Sequence, residues 1–152
     1  MHHRARIQAG ELIAAGSGAL LLIAMPLPWY VRDTEVAGAQ LTASWNAWQL
    51  LSVIAVLLFL IGVVAIVAPA LRGLGAVPAG FRSDRVLVAV GLLGLALVLF
   101  RVIDMPTPSI EVEAGDRADT GRGAGLFLAL LATAGIAYGG RRAGRDRARR
   151  PG

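Results

Sequence analysis

The chain has 152 residues, 56% of them hydrophobic and only 16% charged, with a formal net charge of +5. Soluble proteins carry about 25% charged residues, and here the apolar residues fall in long runs where a soluble helix would show a stripe, so a single-domain integral membrane protein is expected. There is no Cys or Lys, and the only histidines are His2 and His3, which excludes disulfides, thiol nucleophiles and Cys-based metal sites and leaves a serine nucleophile without a base.

Residues 1–6, MHHRAR, make a short basic start. The first apolar run predicts a helix over about residues 9–30, with Glu11 near its beginning. A secretory leader ending at Ala37-Gly38-Ala39 would share its length and basic flank. Arg32, Asp33 and Glu35 separate that site from the apolar run, however, and a retained helix is expected. Pro26 and Pro28 stand near its outer end, where they terminate a helix instead of breaking its middle. Trp29 and Tyr30 fall where an aromatic belt would lie.

Residues 31–47 read as a polar connection. The second run is the clearest, since fourteen of the eighteen residues from Leu50 to Val67 are Leu, Ile, Val or Phe. Together they favour insertion by roughly 4–8 kcal/mol. Trp48–Ala68 reaches about 31 Å, the thickness of a bilayer's hydrocarbon core. A helix is expected over about 48–68, with Trp48 at its outer edge and Pro69 at its end. Ser83 or Asp84 is expected to cap a third helix, over about 85–103. Arg101 and Asp104, three apart near its end, share a face and are expected to pair.

The connection 104–122 is acidic and rich in Pro and Gly, with Glu111, Glu113, Asp116 and Asp119 in no calcium-loop spacing. The fourth run, Gly123–Tyr138, is the weakest, because eight of its sixteen residues are Gly or Ala. Its helix, about 122–139, is expected to insert as a hairpin with the third. Residues 1–140 thus read as a four-span domain, and residues 141–152 as a disordered basic tail.

Arginine counting orients the chain. With both termini cytoplasmic, eleven Arg lie inside and four, Arg32, Arg101, Arg117 and Arg122, lie outside, as the positive-inside rule requires. The expected fold class is all-α: an up-down-up-down four-helix bundle in the plasma membrane. Membrane helices associate through small residues. Gly10, Ala14 and Gly18 on the first helix, and Gly125, Ala129, Thr133 and Ala137 on the fourth, recur at four-residue spacing. Whether these stripes meet helices of the same chain or a second subunit is left open by the sequence. Gly91 and Gly94 make a weaker stripe on the third.

Glu11 invites comparison with small four-helix multidrug exporters, which carry a membrane-embedded glutamate in the first helix. Nineteen residues, Leu12 to Tyr30, follow it here, so it falls at the cytoplasmic boundary near Arg4 and Arg6. Ala15-Gly16-Ser17-Gly18 resembles the serine motif of intramembrane proteases but reads as a small polar helix contact. Arg101 reads as a side chain that snorkels to the headgroups beside Asp104.

Three short elements, LPWY after the first apolar run, SWNAW before the second and FRVID at the end of the third, resemble those of small, uncharacterised actinobacterial membrane proteins with four transmembrane helices. The resemblance implies four helices and a plasma-membrane location, and it assigns no catalytic residue. It also implies that Trp29, Trp45, Trp48, Arg101 and Asp104 converge on the outer face. The function expected is therefore a non-enzymatic accessory, scaffold or interaction subunit, with Trp29, Tyr30, Trp45, Trp48, Arg101 and Asp104 as its contact rim. A small-solute or ion transporter or channel, lined by Ser17, Ser52, Thr133 and Gln49, is the alternative. No cofactor or metal is expected. The partners expected are the bilayer, anionic headgroups at the basic tail, and a membrane protein or second copy of the chain. Nucleic acid is not among them, since the tail lacks stacking aromatics.

Overall fold

The computed structural model describes residues 8–36, 39–50, 52–76, 82–104 and 118–149. Its elements are α1 (Ala9–Ala24), β1 (Pro28–Val36), β2 (Ala39–Asn46), the single turn α2 (Ala47–Leu50), α3 (Ser52–Gly73), α4 (Ser83–Ile103), β3 (Ala118–Arg122) and α5 (Ala124–Ala148). The chain is mostly helical but not all-α. The two connections read as irregular contribute a three-stranded antiparallel sheet, ordered β2-β1-β3. Arg4, Arg6, Glu111, Glu113, Asp116, Arg117 and the Ala37-Gly38 pair lie outside the described residues.

Helices α3, α4 and α5 are each long and apolar enough to cross a membrane. The sixteen residues of α1 reach only about 24 Å, short of the roughly 30 Å core. α1 lies against α3 and α5, and α4 lies against the same two. Glycines set the closeness of these contacts. A Cβ on Gly139 would stand 2.6 Å from the Ala14 backbone nitrogen, one on Gly18 2.8 Å from the Gly62 carbonyl, and one on Gly91 2.8 Å from Ala137 Cα. Between them Ala14, Leu21, Leu58, Leu87, Leu126 and Ile136 are fully buried.

Each helix boundary that departs from the expectation has a local cause. α1 stops at Ala24, well short of Tyr30, because Pro26 and Pro28 have no amide hydrogen to donate to the Leu22 and Ala24 carbonyls, although Met25 itself keeps helical backbone. Its freed end is then capped from outside: the Trp29 indole N–H donates to the Ala24 carbonyl at 2.9 Å, and the Ala47 amide donates to the Met25 carbonyl. α3 runs through Pro69 to Gly73. It closes only where Gly75 adopts a φ of +70° and the Gly75 and Ala76 amides fold back onto the Arg72 and Leu71 carbonyls, a glycine C-cap. That extra turn carries Arg72 along the bundle.

α5 continues ten residues beyond Tyr138, to Ala148, so most of the supposed tail is helix. Gly139 and Gly140 are contact points with α1 and α4, not a break. Ala143 is fully buried one turn later. The basic segment is thus a two-sided helix, with small residues and Arg147 facing the other helices and Arg141, Arg142, Arg145 and Arg149 exposed. Finally, α4 begins after Arg82 without a side-chain cap. The Ser83 and Asp84 side chains are engaged elsewhere.

Candidate functional site

At one end of the helices, side chains from all four long ones meet. Glu11 is 2% exposed and accepts from the Arg72 guanidinium of α3 at 2.5 Å and from the Ser83 hydroxyl of α4 at 3.3 Å. Its other oxygen accepts from the Gln8 amide at 3.2 Å, so the carboxylate also closes the first turn of its own helix. Arg72 Nη1 reaches Ser83 Oγ as well, at 3.2 Å. Beside it, Arg147 of α5 pairs with Asp84 of α4 at 2.6 Å. A carboxylate so far from water requires a counter-charge and hydrogen-bond donors, and here it has both. Its negative charge is already matched, which suits it to lock α1, α3 and α4 together better than to carry a free cation.

At the opposite end the sheet covers the bundle. β1 pairs with β2 from Pro28↔Asn46 to Val36↔Ala39 and with β3 from Tyr30↔Arg122 to Thr34↔Ala118. Three ties hold it down. The Tyr30 hydroxyl donates to the Arg101 carbonyl at 2.7 Å. Arg122 donates to the Val102 carbonyl at 3.1 Å. The Gly123 amide donates to the Trp29 carbonyl at 2.7 Å. Gly125 must be glycine, since a Cβ there would sit 2.6 Å from the Trp29 ring. Burial pushes the Tyr30 phenol above its ordinary pKa, with the Arg101 charge opposing in part. The short helix α2 starts with a reciprocal cap: Asn46 Oδ1 accepts from the Trp48 and Gln49 amides, and Gln49 Oε1 accepts from the Asn46 amide.

LPWY, SWNAW and FRVID meet at this end. Tyr30 of the first stands opposite Trp45 of the second across the strand pair and bonds the Arg101 backbone of the third. They do not form one exposed rim, however. Trp29 and Tyr30 are buried strand residues, not belt aromatics, and Trp45 is half-buried. Trp48 is the exposed one, its ring 5.9 Å from that of Phe59. The Arg101 side chain is mostly buried and lies 3.7 Å from an exposed Asp104.

The small-residue positions of α1 and α5 lie inside the fold. Gly10, Ala14, Gly18, Gly125, Ala129, Thr133 and Ala137 are all buried. Gly10 meets Gly139 and Ala143, while the Thr133 methyl group would lie 2.9 Å from a Cβ on Gly94. The neighbours of these glycines belong to the same chain, helices for Gly10 and Gly18 and the Trp29 ring of β1 for Gly125. Of the groups proposed to line a pathway, Ser17 Oγ is pressed against Gly135, and Thr133 Oγ1 donates back to the Ala129 carbonyl at 2.9 Å. Gln49 caps α2, and the Ser52 side chain lies outside the described ones.

Sequence reasoning passed over Arg72, Ser83, Asp84 and Arg147 as members of a site. A signal existed: Glu11 and Arg72 are isolated charges, each at the same end of an adjacent apolar run. No protein-family model and no curated protein matches the chain.

Proposed function

We propose that this is a non-catalytic membrane protein whose four long helices form an up-down-up-down bundle in the plasma membrane. Both termini are cytoplasmic, and the sheet stands outside as a docking surface for another membrane or cell-surface protein. The likeness of its three short elements to those of small actinobacterial four-helix membrane proteins supports this reading. The Arg split supports the orientation, since Arg72, Arg82, Arg85 and the α5 arginines all belong to the Glu11 end. In this reading α1 crosses as part of the bundle, its 16 residues supplemented at the outer end by the buried Trp29.

The observation that carries the docking role is β2. Among the described residues it is paired on one side only, by β1, and it is exposed from Ala39 to Ser44. A free strand edge offers unpaired amides and carbonyls to an incoming strand, and Leu41, 60% exposed, adds an apolar contact. The helices offer less, because their small-residue faces are taken up within the chain. Transport is less well supported, because Ser17 and Thr133 are occupied by helix contacts and Glu11 by Arg72.

A photoreactive residue at Leu41, with another at Leu60 on the outer surface of α3 as comparison, tests this in native membranes. Leu41 should yield a protein adduct of defined mass, and Leu60 lipid adducts alone. Lipid adducts or none at Leu41 would overturn the reading.

A further inference from the structure

Between the N-terminal turns of α4 and the C-terminal turns of α5 lies an open cleft of about 830 Å³, a size common among small-molecule sites. Its rim carries Arg82, Arg85, Arg141 and Arg145, all exposed. A fifth arginine there, Arg147, is held by Asp84 at 2.6 Å. Among the described residues no acidic side chain pairs with the other four. One turn further along α4 the wall changes character to Val88, Ala89 and Leu92. The passage from Arg85 to Leu92 takes only about 10 Å of helix. Gly140 and Gly144, which let α5 approach α4 closely, lie between the two walls.

Four uncompensated guanidiniums above an apolar trough have the polarity profile of an amphiphile. A free anion would use the rim and leave the trough wet, whereas a fatty chain would use the trough and leave the charges unmet. We propose that this cleft binds one anionic glycerophospholipid, its phosphate on the arginines and one acyl chain along Val88, Ala89 and Leu92. Guanidinium groups hold phosphate oxygens in two-pronged, charge-assisted hydrogen bonds, and basic pockets between membrane helices suit such headgroups. This differs from a diffuse attraction of a basic tail, because it assigns particular arginines and a chain path. It rests on α4 and α5 lying in the membrane but not on which side the Glu11 end faces, so the orientation can fail without it.

The test is native mass spectrometry of the full chain in detergent, titrated with phosphatidylglycerol or phosphatidylcholine. Wild type should retain one phosphatidylglycerol and no phosphatidylcholine. R85Q/R141Q should lower that occupancy about tenfold or more. The charge-matched R142Q/R149Q, outside the cleft, should leave it within about twofold. A89W, which fills the trough without touching charge, should also abolish retention, and excess glycerol phosphate should not displace the lipid. Equal loss in both arginine pairs would overturn the proposal in favour of diffuse charge. Displacement by glycerol phosphate, or full retention in A89W, would reduce the cleft to an anion site and overturn it too. Should a variant fail to fold, equal retention of the two lipids by wild type still overturns it.

Discussion

Removing Arg72 should harm the protein more than removing Glu11, although the two share one ion pair. The asymmetry follows from exposure. The Glu11 side chain is 2% exposed and that of Arg72 28%, so an orphaned guanidinium can turn to water while an orphaned carboxylate cannot. In Arg72→Ala, Glu11 keeps only the Ser83 hydroxyl and the Gln8 amide. Leaving a buried charge without its partner costs about 3–5 kcal/mol, or roughly 6–20 °C in melting temperature for a domain of this size. In Glu11→Ala, Arg72 retains Ser83 and gains solvent, and the loss should stay near about 2 kcal/mol, that of charged hydrogen bonds. The double variant should resemble the single Arg72 variant or improve on it, giving a coupling of about 2 kcal/mol or more. Thermal melting of the four proteins in one detergent, followed by helical circular dichroism, reads all of this. Equal losses in the two single variants, or losses that add in the double, would refute the reasoning.

Gly139→Val should abolish a monodisperse peak in gel filtration, since the new side chain would meet the α1 backbone. Gly16→Ala, where nothing lies within 4 Å, should be neutral or stabilise by up to about 1 kcal/mol. Trp29→Phe deletes the indole donor to Ala24 and part of a fully buried ring and should cost about 2 kcal/mol, against about 3–5 kcal/mol for Trp29→Ala; denaturant midpoints separate them. The raised Tyr30 pKa sets the sign of an alkaline effect. The folded state holds that proton to higher pH than the unfolded chain, so stability is complete below about pH 10 and falls as pH rises past it. Tyr30→Phe should remove that part of the alkaline loss in a pH series of melts.

α3 was legible because no charge interrupts it before Arg72 in its last turn, and length and hydropathy alone decide such a helix. The two ends of the bundle were not. Trp29 reads as a belt residue until it is seen to reach back to Ala24, a contact that depends on the turn made by Pro26 and Pro28. The strands carried a usable signal in composition, with Tyr30, Val31, Thr34 and Val36 on one side of Ala37-Gly38 and Thr42 and Trp45 on the other, β-branched and aromatic residues about a two-residue connection. It was hidden by the polarity of the connection. The basic helix was hidden by the charge of its outer face, since only Gly139, Gly140, Ala143 and Arg147 report the inner one. Glu11 and Arg72 lie 61 residues apart, and their meeting depends on α3 passing through Pro69. The small-residue stripes were visible, but the identity of the surface they meet was not, because glycine spacing does not distinguish a neighbour in the chain from a second subunit.

Single-cysteine labelling in intact cells tests the central arrangement most directly, because the chain has no cysteine of its own. A cysteine at Thr42 in β2 should react with a membrane-impermeant maleimide from outside, and one at Arg145 in α5 only after permeabilisation. The reverse pattern, or labelling of both positions from the same side, would contradict the four-span bundle with its sheet exposed to the exterior.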